Sequence, residues 1–310
     1  MVKPYGRSLH IGVNNVSDHY DFSLGSLKGA ENDAKFMADL ALQRQFSDVR
    51  CLIGPQATAR AVIDDILDAA ATLPAGSLFL LTFAGHGIEI LNDNFSIDDR
   101  ERCDQAWCTY DRALLDDELK VILPEFGTGT RVVVVVDACH SATPIQNLYE
   151  RIARARTSDC SDEQETILNK LEHALGEIAH TFQSRSSVIG ELRRRERFLG
   201  FEASLLTSER HKELYRSIRD ALVHAPRKKL SASVVSLGAC RDDEATPDGE
   251  PHGDFTAAIK TVWKDGTFAG THEDLWKEVR KLAALYGADP SWCCRKTVSS
   301  TFWNEPAFTI

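Results

Sequence analysis

Nowhere in its 310 residues does the chain hold the roughly twenty consecutive apolar residues that a membrane-spanning helix requires. Positive charge is also short. Lys and Arg total 36 against 46 Asp and Glu, and the net charge of −10 speaks against a nucleic-acid partner held through its phosphates. The first residues lack the apolar core of a secretory signal, so a cytoplasmic location is expected. No two of the eight cysteines are spaced as C-x-x-C, which leaves a structural zinc site without its usual framework. In a chain of this length and a reducing compartment, those cysteines read as core residues with one reactive thiol among them, not as a disulfide scaffold. Internal repeats and low-complexity tracts are absent. What remains is an ordinary globular composition, 43% hydrophobic and 26% charged, long enough to build a sizeable core.

Short β-rich runs alternate with helical patterns in the first half, which predicts an α/β fold with a mostly parallel sheet covered by helices. Strands are expected at 9–13, 49–53, 77–83 and 131–136, the last two being SLFLLTF and RVVVVV. Continuous apolar runs of that kind belong to strands buried on both faces. Helices are expected at 29–44 and after Thr58, a good N-cap for Val62, Ile66 and Ala69 or Ala70. From 144 to 230 the pattern turns helical, and 16 Lys and Arg against 13 Asp and Glu reverse the sign of the charge. There Ser161 with Gln164 forms a capping box ahead of Ile167, Leu171, Leu175, Ile178 and Phe182, and Ser208 is placed to cap a helix bearing Leu214, Ile218 and Leu222. A strand at 233–237, helices at 254–263 and 271–286, and a last strand at 298–302 complete the pattern. The organisation is an α/β domain, 1–143 and 231–310, interrupted by a helical insertion at 144–230.

Two motifs lie at the C-terminal ends of buried strands, where ligand sites form in open α/β sheets. One is Phe83-Ala84-Gly85-His86-Gly87 and the other is Asp137-Ala138-Cys139-His140-Ser141. If their strands are neighbours, His86 and Cys139 face each other, and an imidazole can take a thiol proton and return it to a leaving amine. Gly87 and Cys139 each offer a backbone N–H for an oxyanion hole. Taken singly, such a cysteine or histidine is as readily a buried packing residue. A third feature is the acidic stretch 93–118, with Asp98, Asp99, Glu101, Asp104, Asp111, Asp116 and Asp117. Clustered carboxylates suit calcium, although EF-hand spacing is missing; the same acids also read as a solvated loop followed by a helix start.

With these residues the chain resembles the caspase-like cysteine peptidases, and among them the metacaspase and orthocaspase group. The matching stretches are AGHG at 84–87, DACHS at 137–141, LKGAENDA at 27–34 and WCTYDRALLDDEL at 107–119, within roughly 8–143 and 231–302. The histidine precedes the cysteine by 53 residues, in keeping with such enzymes. The resemblance implies a caspase-like, mostly parallel sheet of about six strands flanked by helices, with a large-subunit portion at 1–143 and a small-subunit portion at 231–310. It implies Cys139 as nucleophile, His86 as general acid/base and Gly87 in the oxyanion hole. Asp33 and Asp137 take the family's specificity-pocket positions, and two carboxylates there favour Arg or Lys before the scissile bond. Each also has a plainer reading, Asp33 as a first-turn acid on its helix and Asp137 as part of a strand-end turn. The family's calcium site maps onto Asp116 and Asp117. Ala84, Ala30 and Ala142 depart from the residues common in the family, so the pocket wall is expected to differ while the Cys/His pair is kept.

The expected function is therefore an Arg/Lys-specific cysteine endopeptidase, held latent as a zymogen, acting as a monomer on protein substrates with exposed Arg or Lys. Three triggers fit: calcium, a cut in the insertion, or a small signalling ligand bound there, the last suiting a cell-death or defence effector. The insertion offers basic cut sites at Arg151, Arg154, Arg156, Arg193, Arg194, Arg195, Arg227, Lys228 and Lys229. The alternative is a catalytically silent caspase-like scaffold that binds a partner through the insertion. A weaker third reading is a redox switch at Cys139.

Overall fold

In a computed structural model the chain forms two compact units, residues 1–141 with 195–310, and residues 142–194. The structure describes residues 3–20, 26–91, 103–138, 197, 201–239, 248–285 and 301–310. The capping box at Ser161 and Gln164 and the cut sites from Arg151 to Arg195 lie outside these residues, as do Asp98, Asp99, Glu101, Cys139 and Ala142.

Five parallel strands form the main sheet, in the order β2 (Asp48–Ile53), β1 (Gly6–Gly12), β3 (Leu78–Ala84), β7 (Arg131–Asp137) and β8 (Ser233–Gly238). Strand β3 is buried at all seven positions, because each face meets its own apolar layer. Phe79, Leu81 and Phe83 join Val132, Val134 and Val136 on one face, beneath Val62, Ile66 and Ala69 of helix α2 (Ala59–Thr72). Leu78, Leu80, Val133 and Val135 face the other way, toward Met37, Leu40 and Ala41 of helix α1 (Ala30–Gln43). Fully burying each such side chain is worth about 1.5–3 kcal/mol, and the polar side chain of β3, Thr82, is satisfied by His10 Nδ1 at 2.9 Å. Thr58 caps α2 as expected, its hydroxyl accepting the Ala61 N–H at 3.2 Å.

Three short strands, β4 (Gly87–Leu91), β5 (Cys103–Cys108) and β6 (Ala113–Leu115), form a second, antiparallel sheet that the sequence patterns do not announce. Cys103 and Cys108, both within the acidic stretch 93–118, are the two ends of β5. Helix α3 (Asp116–Ile122) follows β6. The helices α4 (Phe201–Arg210) and α5 (Lys212–His224) pack on this sheet within the first unit. The insertion boundary thus moves: residues 195–230, counted with the insertion from sequence, belong to the same unit as the sheets.

The helices bring polar groups to strand edges that would otherwise be unpaired. Along the free edge of β4, Glu89 N–H donates to Ser204 Oγ at 3.4 Å and Leu91 N–H to Ser208 Oγ at 2.9 Å. Ser208 therefore lies in the last turn of α4 and does not cap α5, which starts after His211 without a side-chain cap. Nor is Leu214 on the buried face of α5. It is exposed, and Tyr215 and Arg219, one turn apart, point inward.

Helices α6 (Asp254–Trp263) and α7 (His272–Leu285) cover the α1 side of the main sheet with Phe255, Ile259, Trp263, Leu275 and Trp276. Phe302, where a last strand was expected to close, begins a 3-10 turn, and residues 298–300 lie outside the described set. No helix among the described residues is long and apolar enough to cross a membrane.

Candidate active site

Strands β3 and β7 are neighbours, with Ala84 in register with Asp137, so the two motifs singled out in the sequence do share one sheet edge. Gly85 N–H donates to the Asp137 carbonyl at 3.3 Å, tying the histidine turn to the cysteine turn. His86 is buried in the step from β3 to β4, where its carbonyl accepts the Cys108 N–H at 2.9 Å. On the other side, Ala138, the neighbour of Cys139 in the chain, is buried.

Asp33 and Asp137 come together although α1 and β7 are far apart in sequence, and the cation between them belongs to the chain itself. Arg197 is fully buried. Its Nη2 lies 2.5 Å from Asp33 Oδ2 and 3.1 Å from Asp248 Oδ1, while Nη1 lies 3.0 Å from both Asp137 Oδ1 and the Asp137 carbonyl. Its Nε donates to Asp248 Oδ1 at 3.3 Å. The Arg197 carbonyl accepts the Gly87 N–H at 2.9 Å. Side chain and carbonyl of one residue are thus held at two points, the first in an acidic pocket and the second on the backbone beside His86.

Each carboxylate is fixed from behind. Asp33 sits in the first turn of α1, where the helix dipole favours a negative charge, and accepts Gly253 N–H at 3.2 Å and His252 Nδ1 at 3.0 Å. Asp137 Oδ2 accepts Thr256 N–H at 3.0 Å and Thr256 Oγ1 at 2.6 Å, both from the first turn of α6. Burial holds the Asp137 carboxyl up at about 6 and the charge of Asp33 adds to this, while Arg197 and the Thr256 bonds pull it down. Burial works against the Arg197 charge, yet Asp137, Asp33 and Asp248 outweigh it and raise its pKa.

Arg197, Asp248, His252 and Thr256 are the residues that sequence reasoning missed. Arg197 closes the basic run RRRER at 193–197, of which only the first three arginines had been noted as cut sites. The other three follow β8, with no motif around them, and only the fold carries them to the pocket.

The acidic stretch divides. Asp104 is buried against Arg219, Asp111 accepts the Ala59 N–H at 2.7 Å at the start of α2, and Glu118 chelates Arg112 at 2.8 and 2.7 Å. Asp116 and Asp117 both bind Lys120, at 2.8 and 2.7 Å. Among the described residues no group of three or more His, Cys, Asp or Glu is arranged to hold a metal ion. Asp98, Asp99 and Glu101, which the calcium reading groups with Asp116 and Asp117, lie outside the described residues.

A mostly parallel five-stranded sheet flanked by helices, with His86-Gly87 and Asp137-Ala138 at adjacent strand ends, has a caspase-like α/β architecture. Residues 6–147 match the family model described as the metacaspase, peptidase C14 domain, and two curated metacaspases are similar to the chain. Metacaspase-5 of Trypanosoma brucei brucei is 26% identical over 187 residues, 56% of this chain and 36% of that protein. Metacaspase-4 of Arabidopsis thaliana is 22% identical over 169 residues, 52% of this chain and 39% of that protein. The chain thus spans little more than a third of the length of these relatives. The crystal structure of a Geobacter sulfurreducens protein matches with a TM-score of 0.76 and 27% identity, covering 99% of both chains.

Proposed function

We propose that the chain is a cysteine endopeptidase cutting after Arg or Lys, latent until the pocket is cleared. One observation carries this reading: Arg197 lies as a substrate residue before a scissile bond would lie, its guanidinium on Asp33 and Asp137 and its carbonyl on the Gly87 N–H. In the proposed reaction the Cys139 thiolate attacks the substrate carbonyl carbon and the carbonyl oxygen becomes an oxyanion stabilised by the Gly87 N–H. His86 takes the thiol proton and gives it to the departing amine as the C–N bond breaks. Water, activated by His86, then releases the thioester.

Latency has a physical basis in the same contact. Arg197 is tethered to the pocket it fills, and a tethered group acts at a high effective concentration, so a free peptide competes poorly until the segment is cut or displaced. The proposed cut follows Arg197, the residue that occupies the pocket, and hydrolysis of its bond to Phe198 would release the plug.

The test is hydrolysis of fluorogenic peptides ending in Arg, Lys or Asp by wild type and Cys139→Ala, each with calcium and with chelator. Arg and Lys peptides are expected to be cut by the wild type alone, and N-terminal sequencing is expected to find a new terminus at Phe198. Cleavage after Asp would sink the pocket assignment. Silence toward all three by both wild type and Arg197→Ala would turn the choice to the scaffold. A rise in rate with calcium would support Asp116 and Asp117 as a trigger site.

A further inference from the structure

We infer that Asp248 makes the pocket select arginine over lysine. The inference rests on the reading of this pocket as the seat of the residue before the scissile bond, and it names the substrate class that pocket takes. Asp33 and Asp137 by themselves attract any cation. Asp248 does something else: its Oδ1 sits against both Nε at 3.3 Å and Nη2 at 3.1 Å of Arg197. That pair of nitrogens is one edge of a guanidinium, and lysine has no counterpart to the inner nitrogen.

The carboxylate is held for this task. Its side chain is only 2% exposed. Lys28 N–H donates to Oδ2 at 2.7 Å and Gly29 N–H to Oδ1 at 3.3 Å, just ahead of the first turn of α1, where the dipole favours an anion. The slot is also tight. A Cβ placed on Gly253 would come within 2.5 Å of the Arg197 Cζ and Nη2, and one on Gly29 within 2.9 Å of Nη2. Only glycine backbone can approach the guanidinium this closely.

A lysine ammonium would sit near the place of the guanidinium carbon, with three donors pointing tetrahedrally. Pairing with Asp33 and Asp137 would leave Asp248 buried without its cation partner, a costly state. Arginine meets all three carboxylates and the Asp137 carbonyl at once.

The experiment uses the full chain carrying Arg197→Ala, to empty the pocket, with Cys139→Ala, to stop turnover. Calorimetry would measure binding of Nα-acetyl-arginine methylamide and its lysine analogue. Arginine is expected to bind at least about tenfold more tightly, the loss typical of one hydrogen-bonded charge pair. Adding Asp248→Asn should weaken the arginine analogue by roughly 10- to 100-fold and bring the two ligands within about threefold of each other. Equal binding of both analogues to the parent overturns the proposal without any need for the Asp248 variant to fold. So does an Asp248→Asn chain that loses both ligands in equal measure, since a mere support for α1 would act through Asp33 on any cation. With Cys139 restored, a chain that binds arginine selectively yet hydrolyses no peptide would sink the peptidase reading and leave this selectivity standing.

Discussion

The two sheets of the first unit are held by different physics. In the main sheet, β3 and β7 are runs of Val, Leu and Phe buried on both faces, and almost any large apolar side chain suits such a position. The small sheet has an apolar layer of its own, with Ile88, Ile90 and Leu115, but its strands also carry buried Glu89 and Asp104. Its ties are specific polar contacts with α4 and α5, among them Ser208 to Leu91 and Arg219 to Asp104, which are 117 and 115 residues apart. Oily burial specifies a layer, whereas polar satisfaction specifies a partner. The candidate site lies where the two meet, since Arg197 binds Gly87 of the small sheet and Asp137 of the main one.

The largest effect is expected from breaking that joint. Arg197→Ala would leave three buried carboxylates without their cation and destabilise the chain by about 3–5 kcal/mol. The same variant should hydrolyse Arg peptides faster than wild type at low substrate concentration, because the tethered competitor is gone. Urea melts and initial rates measure the two effects together, and unchanged stability would mean that water or protons already neutralise the cluster.

Next in size is a matched pair. Leu81→Ala in the main sheet should cost about 2–5 kcal/mol and lower protection against hydrogen exchange throughout the unit. Arg219→Ala, which strips Asp104 of its partner and the Leu91 carbonyl of its donor, should cost about 3 kcal/mol. Its loss of protection should be concentrated in β4 and β5. Uniform exchange in both variants would show that the sheets open as one and would erase the contrast.

A smaller effect follows from Asp137. Its pKa in the fold, about 6, lies above the ordinary 3.8, so the folded chain binds this proton more tightly than the unfolded one. Its contribution to stability is then full below 3.8 and lost as pH rises through about 6. Pairing with a cation runs the other way and weakens as pH falls through 6, which should give Arg-peptide hydrolysis an acid limb there. In Arg197→Ala the carboxyl should move further up, since the cation that lowers it is absent. Carbon NMR of the aspartate carboxyls reads both positions. The smallest change is Thr58→Ala, a lost helix cap in the main sheet's cover, expected to lower stability by about 1 kcal/mol.

The sequence by itself located the strands and helices of the main layer, expecting about six strands where the sheet has five, because β3 and β7 are nearly continuous apolar runs and α1 and α2 show a 3.6-residue stripe. It also placed His86 and the residues before Cys139 at the ends of apolar strands, since motif and strand are contiguous in the chain; that these strands are neighbours came from the fold. What only the tertiary structure decided is the occupant and the third wall of the pocket. Arg197 is one arginine in a basic run, and nothing local separates it from Arg195. Asp248 is one acid in a turn. Each acquires its role only when β7, α1 and the segment after β8 converge, because a buried charge is defined by what surrounds it. The small sheet was illegible for the same reason: Asp104 and Arg219 read as surface residues until each meets the other, 115 residues away.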